Sequence, residues 1–288
     1  MAIRLGDIQF INSWPVTYGL KAKKIASQLK VVSGVPAQLN RRLLTGELDA
    51  SAVSSMLYLR HQEEFVPVPG LCIRSEADVA SVLVASREPL EKLETKTIGI
   101  SNQGATTPVL LKLLLKERKL PLTLEVTHLR FPEILEAYPA ALLIGDEALQ
   151  ASREKKHWHF WDLGQAWADW TKLPCVFALW VVRRHLVERS PEVLTEIRTD
   201  LEASYAWGRA HTEELVQSMQ KIFPWEKAFL KQYLNRLSYD FDTKAWEGLR
   251  RLSREAEAVG LLEKGTTQAL PAKRAGWIRE KRQELALR

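Results

Sequence analysis

The sequence predicts an α/β protein of two lobes, each a mixed, mostly parallel sheet with flanking helices, joined through two strands. Three observations carry that expectation. In the first half, short apolar runs alternate with amphipathic stretches, the pattern of βα units built around a sheet. Two runs, Val79–Ser86 and Cys175–Val182, are almost continuously apolar, as strands buried on both faces should be. From about residue 190 onward the pattern turns helical.

Taken in order, strands are expected near residues 3–10, 30–34, 49–53, 79–86, 96–101, 123–128, 141–144 and 176–183. Helices fit near 15–27, 36–46, 54–62, 105–118, 132–138 and 146–153. Ser190-Pro191-Glu192 then opens a further helix, with serine at the cap, proline in the first turn and an early carboxylate. Phe223-Pro224-Trp225 breaks the pattern, and helices resume near 226–236 and 242–259. The chain is expected to leave the first lobe on one apolar run and return on the other. That gives a discontinuous lobe (1–84 and 182–288), an inserted lobe (88–175), and hinge strands at about 79–87 and 175–183.

At 288 residues the chain has room for two lobes, and 46% hydrophobic with 26% charged residues is the composition of an ordinary globular protein. No segment approaches the ~18 consecutive apolar residues of a membrane span. Met1-Ala2 runs straight into a strand-like Ile3–Phe10 without the apolar core of a secretory signal, so a cytoplasmic protein is expected. Cys72 and Cys175 sit in apolar settings and in no metal-ligand spacing, which suits buried thiols. The net charge of +6 owes much to the last stretch, Lys273 to Arg288, where Trp277, Ile278, Leu285 and Leu287 suggest a solvated helix. No groove-reading motif or aromatic-basic stacking pattern is present, so neither nucleic acid nor membrane is an expected partner.

Ligands of open α/β sheets bind at the carboxyl ends of strands, where helix N-termini gather. Four turns there share a design: Phe10-Ile11-Asn12-Ser13-Trp14-Pro15; Ala52-Val53 into Ser54-Ser55-Met56; Ile100-Ser101 into Ala105-Thr106-Thr107-Pro108; and Ile144-Gly145-Asp146. Ser, Thr, Asn and Asp are the usual helix caps, worth about 1 kcal/mol each, which by itself explains any one of these turns. Four of them facing one cleft would form an anion site of free amides and hydroxyls. Asp146 would repel a carboxylate held over it and is therefore assigned to capping.

The six histidines (His61, His128, His157, His159, His185, His211) are scattered, and His157-Trp158-His159 alternates like a strand with no third ligand nearby. The sequence has no GxSxG, P-loop or GxGxxG, and implies no metal and no cofactor. Spacing alone leaves an enzyme and a binding module equally open.

The same turns also resemble a known family. Arg4-Leu5-Gly6 through Phe10–Pro15 and Tyr18-Gly19-Leu20 is similar to the opening of the menaquinone-biosynthesis chorismate dehydratases of the futalosine route. The likeness continues at Pro36–Asn40, Gly46–Asp49, Ser54-Ser55, Ser81–Leu83, Ala105–Thr107, Leu142–Leu149, Asp162–Trp167 and Thr171–Ala178. It covers roughly residues 3–183, with blocks that are specific in combination and order. The sequence departs from the family at Ser13-Trp14, bulkier than expected after the asparagine, and at Cys175, where an aromatic is usual; Trp14 is expected to pack beneath the cleft.

The resemblance implies a type II periplasmic-binding-protein-like fold and dehydration of chorismate to 3-[(1-carboxyvinyl)oxy]benzoate, a small dicarboxylate substrate handled without a cofactor. It implies Asn12 as the residue that orients substrate and assists proton removal. Ser13, Ser54, Ser55, Thr106 and Thr107 would hold carboxylates, and Ser86, near the hinge, is a further candidate. Two alternatives are weighed. The sister enzyme of the pathway, 1,4-dihydroxy-6-naphthoate synthase, shares the fold but carries a histidine where Gly145-Asp146 stands here. A transporter's carboxylate-binding protein would carry a signal peptide and a lipid-attachment cysteine.

Overall fold

The structure is a computed structural model that describes residues 2–93, 97–101, 104–154 and 158–270. The chain opens with β1 (Arg4–Ile8), a 3-10 turn at Ile11–Ser13, α1 (Trp14–Lys21), β2 (Lys30–Gly34), α2 (Pro36–Leu44), β3 (Ala50–Ser54) and α3 (Ser55–Arg60). It continues through β4 (Phe65–Ser75), β5 (Val82–Ser86), β6 (Thr97–Ser101), α4 (Thr106–Glu117), β7 (Thr123–Thr127), α5 (Glu133–Ala137), β8 (Ala140–Ile144) and α6 (Asp146–Glu154). The return is made by β9 (His159–Asp162), α7 (Leu163–Thr171), β10 (Cys175–Arg183) and α8 (Arg184–Arg189). Last come α9 (Glu192–Ala210), α10 (Thr212–Gln220), α11 (Lys227–Leu234), β11 (Ser238–Phe241), α12 (Thr243–Ala258) and α13 (Thr266–Ala269).

The strands form two sheets, one of six in the order β11-β4-β10-β3-β1-β2 and one of five in the order β7-β6-β8-β5-β9. Each has a parallel part, β2-β1-β3 in the first and β7-β6-β8 in the second, whose strands feed helices. The antiparallel strands are those next to the crossings: β10 against β3 and β4, and β5 against β8 and β9. Both apolar runs are central strands, as continuous burial on two faces requires.

Neither run spans two lobes, however, which corrects the expected hinge strands. β5 pairs wholly within the five-stranded sheet and β10 wholly within the six-stranded one. The chain changes sheet in the segment between Ser75 and Val82, and again between Asp162 and Cys175.

Three strands lie outside the expected set: β4, β11 and the four-residue edge strand β9. β4 carries Pro67, Pro69 and Gly70, residues that argue against a central strand. They are tolerated because β11 pairs only with Gly70, Leu71 and Arg74, so the proline end of β4 has β10 on one side and no neighbour on the other. β11 interrupts the helical C-terminal region with four residues whose inward Tyr239 and Phe241 alternate with Ser238 and Asp240. The basic tail from residue 271 and His157 fall outside the described residues. Cys72 and Cys175 are both buried free thiols, and burial pushes both well above the usual thiol range.

The C-terminal helices wrap back onto the first turn of the chain. α1 lies along α9, and Leu20 donates its backbone N–H to Ser204 Oγ at 3.2 Å. The approach is close enough that a Cβ on Gly208 would fall 2.5 Å from the carbonyl oxygen of Pro15. Trp14 stacks on Tyr18 with ring centroids 5.4 Å apart and is 7% exposed, so it packs as expected. A methyl group at residue 208 must push backbone apart, which overpacking measurements put at about 1–3 kcal/mol. The Gly208→Ala variant should therefore lower the urea midpoint of unfolding by that much stability; an unchanged midpoint would show that α1 and α9 are not held at this distance.

Candidate functional site

Each of the four turns follows the carboxyl end of a parallel strand, and the structure links them in a ring. β1 ends at Ile8, and the chain makes a single 3-10 turn before α1, whose first turn takes Pro15. β3 ends at Ser54, which caps α3 by accepting the N–H of Leu57 at 3.3 Å. From the opposite sheet, Thr106 and Thr107 open α4 and Asp146 opens α6.

Three contacts close the ring. Met56, in the first turn of α3, donates its backbone N–H to Thr106 Oγ1 at 3.0 Å, joining the two sheets at one edge of the cleft. A Cβ on Gly104 would lie 3.0 Å from Thr107 Oγ1 and 3.3 Å from Ile144 Cδ1, so the third and fourth turns touch. The Asp146 carboxyl lies close enough to the backbone N–H of Ile11 for that amide to favour its ionised form, so the two sheets approach a second time here. Beside it, Gly145 at φ +63 meets the Phe10 ring, which a Cβ there would approach to 3.6 Å.

The candidate residues divide by what their protons do. Thr106 Oγ1 accepts from Met56 and Ser54 Oγ accepts from Leu57, so each hydroxyl still has a proton to give a ligand. Thr107 Oγ1 is buried and has no partner among the described residues. The Asn12 side-chain amide makes no hydrogen bond among the described residues, while its backbone oxygen accepts Tyr239 Oη–H at 2.9 Å.

Three expectations need correcting. Ser13 Oγ donates within its own turn, 2.7 Å from Ile8 O and 2.9 Å from Phe10 O, and Ser55 Oγ donates to Val176 O at 2.6 Å. Both hydroxyl protons are thus directed to backbone carbonyls, and neither is free for a carboxylate in this arrangement. Ser86 sits at the wrong end of its strand. β5 runs antiparallel to β8 with Ser86 opposite Ala140, the first residue of β8, and its hydroxyl bonds Glu88 O at 2.7 Å. The cleft lies at the other end, beside Val82 and Ile144.

Several contributors were not anticipated from the sequence. Tyr239 supports Asn12 from β11, and Tyr233 on α11 reaches Ser81 Oγ at 3.2 Å. Burial pushes both phenols well above the usual tyrosine range, so they remain proton donors. Asp146 does not cap as expected: it is the first residue of α6, and its side chain accepts none of that helix's amides among the described residues. Its Oδ1 is buried without a partner, and burial raises its carboxyl to about 6, against the pull of the Ile11 N–H. In these four turns it is the only ionisable side chain among the described residues.

A sequence profile of the family described as menaquinone biosynthesis matches residues 3–258. The chain is 30% identical to a Thermus thermophilus chorismate dehydratase over 89% of its length and 95% of the relative's. It is 27% identical to a 1,4-dihydroxy-6-naphtoate synthase of the same organism, over 90% and 96% of the two chains. Among solved structures, protein AF1704 from Archaeoglobus fulgidus superposes with a TM-score of 0.76 at 20% identity, over 90% and 98% of the chains. The periplasmic aliphatic sulphonate binding protein of Escherichia coli gives 0.64 at 12% identity, over 91% and 88%. The fold is thus periplasmic-binding-protein-like.

A carboxyl raised in the folded state favours folding while it is protonated and loses that contribution as it ionises. The Asp146 contribution is complete below about pH 4, the unfolded value, and disappears as pH rises through about 6. Measured by urea unfolding at pH 4.5 and pH 7, the wild type should lose up to ~2 kcal/mol relative to the Asp146→Asn variant over that interval. Parallel pH profiles for the two proteins would mean that this carboxyl is not raised.

Proposed function

Because this chain belongs to the menaquinone-biosynthesis family, we propose that it is a chorismate dehydratase of the futalosine route, a hydro-lyase working in the cytoplasm. The substrate would be chorismate and the products 3-[(1-carboxyvinyl)oxy]benzoate and water. The single observation that carries this reading is the ring of four helix-opening turns, drawn from both sheets and offering uncharged donors with protons still available. The full-length relative named as a chorismate dehydratase supports the choice of substrate. The two buried free thiols suit a reducing compartment.

The chemistry asks for positioning more than for strong acids and bases. The C–H bond at the ether-bearing ring carbon breaks, the neighbouring C–O bond breaks, and the pair of electrons left behind completes an aromatic ring. Proton and hydroxide depart together as water. Donors fixed in place before the reaction stabilise charge as it develops and need no reorganisation. Thr106, Thr107 and Ser54 are suited to the two carboxylates, since each has a hydroxyl proton not committed within the protein. Asn12 is suited to orienting the reacting carbon, with its backbone held by Tyr239 and its amide unengaged. An amide is a weak base in water, so the proton would leave with help from the substrate's own enolpyruvyl carboxylate.

The 27% identity to a 1,4-dihydroxy-6-naphtoate synthase keeps that activity as the second reading. Purified protein mixed with chorismate should remove the cyclohexadiene absorbance and yield the enolpyruvyl-oxybenzoate by mass spectrometry. Binding without product would make this a binding protein, and neither binding nor product would favour the second reading. The Asn12→Ala variant should lose at least ~10²-fold in kcat if the residue positions the reacting carbon. A near-normal rate would remove Asn12 from the mechanism.

A further inference from the structure

Asp146 is placed where its chemistry is hard to explain by capping alone. It belongs to α6, which follows β8 in the five-stranded sheet, yet its carboxyl faces the N–H of Ile11, which follows β1 in the six-stranded sheet. The buried Ile11 side chain belongs to the same apolar cluster as Leu149, one turn further along the helix. The peptide that carries the bonded N–H immediately precedes Asn12. The Asn12 carbonyl is held in turn by Tyr239.

The far side of Asp146 is as constrained. Gly145 donates its N–H to Ser81 O at 2.7 Å, and Ser81 Oγ accepts from Tyr233. Phe10 covers Gly145. The carboxyl therefore faces the turn that carries Asn12, and its Oδ1 is buried without a partner. Leaving a carboxylate oxygen buried and unpaired is costly. Glycine at 145, in the left-handed region, lets the chain turn so that Asp146 meets Ile11.

We propose that Asp146 is a positioning residue for Asn12: reaching across from the other sheet, it fixes the Ile11–Asn12 turn so that the Asn12 amide faces the reacting carbon. This deepens the dehydratase reading and rests on it for the role of Asn12, though not for the contact itself. Asp146 need not touch substrate. Its effect passes through the Ile11 peptide, and a misplacement of ~1 Å at a reacting group is enough for a rate loss of ~10²-fold.

The other ionisable groups around Asp146 have partners of their own. Glu147, next in α6, bonds Arg130 at 2.9 Å, and Arg153 at the far end of the helix pairs with Glu226. Tyr233 on α11 and Tyr239 on β11 are held neutral by burial. A titration seen at Ile11 near pH 6 therefore reports Asp146.

Two measurements test the proposal, one of them independent of the reaction. In amide-labelled protein, the Ile11 backbone N–H and the Asn12 side-chain NH2 signals should move together with a midpoint near pH 6, and both should be flat in the Asp146→Asn variant. In chorismate turnover, Asp146→Ala should lower kcat about 10- to 100-fold with KM changed less than about threefold, and Asp146→Asn, which keeps an acceptor for Ile11, should restore most of it. In the Asn12→Ala background the same Asp146→Ala change should cost less than about twofold further. An Asn12 signal that ignores the titration, or additive losses in the double variant, would overturn the proposal. If the wild type leaves chorismate intact while the two amides still titrate together, the dehydratase reading fails and the Asp146–Asn12 coupling stands.

Discussion

One carboxylate holds both places where the chain passes between the sheets, and the rest of the architecture depends on it. Asp162 Oδ2 accepts the N–H groups of Val79 and Ala80 at 2.9 and 2.7 Å, in the outgoing segment. Its Oδ1 accepts those of Gly164 and Gln165 at 2.9 and 3.1 Å, in the return segment, where it also caps α7. Four amides on one carboxylate fix the two segments side by side. Ala80 takes a left-handed φ of +59 to present its N–H, a conformation unusual for a residue with a side chain. The next residue, Ser81, is the one whose carbonyl fixes Gly145 and whose hydroxyl meets Tyr233. The clasp at the crossings and the ring around the cleft are therefore successive links of one hydrogen-bonded chain, from Asp162 through Ala80, Ser81 and Gly145 to Asp146 and Ile11.

That chain decides which polar groups remain for a ligand. Hydroxyls near a strand end are numerous here, but a hydroxyl has one proton, and the fold uses several of them. Ser13 and Ser55 give theirs to backbone carbonyls. Ser54 and Thr106 are used as acceptors, which leaves each hydroxyl proton uncommitted among the described residues. The distinction between a structural and a ligand-facing hydroxyl in this protein is thus the direction of the hydrogen bond it makes. Residue type carries no such information.

The same fact sets the limit of what could be read from the sequence. The turns themselves were legible, because a strand followed by Asn, Ser or Thr and then Pro is a local pattern with a local cause. The apolar runs at 79–86 and 175–182 announced central strands for the same reason. The position of Ser86 was not legible, since strand direction relative to the cleft is fixed only once β5 is known to run against β8. β4 was hidden by its two prolines, whose tolerance depends on how far β11 extends along it. Tyr239 lies in a four-residue strand, too short for its alternation to stand out against helices on either side. Asp146 is assigned to capping from the sequence because a carboxylate beside an anion site has no other local use; that it faces the Ile11 amide depends on where the opposite sheet is placed.

Periplasmic-binding-protein-like folds gather helix N-termini from two sheets around one cleft, and that arrangement alone suits an anion. The fold shared with a sulphonate-binding protein at 12% identity follows from this backbone property and says nothing about chemistry. What would convert such a cleft into a catalyst for an elimination is modest when the product is aromatic, because much of the driving force belongs to the substrate. It needs a fixed polar group at the carbon that loses its proton, and it needs that group held from more than one direction. In the proposed reading Asn12 would have this support: Tyr239 donates to its carbonyl from the sheet edge, and the Asp146 carboxyl faces the preceding amide from the opposite sheet. The second contact joins residues that follow strands of different sheets, so under that reading the packing of one sheet against the other would also order Asn12.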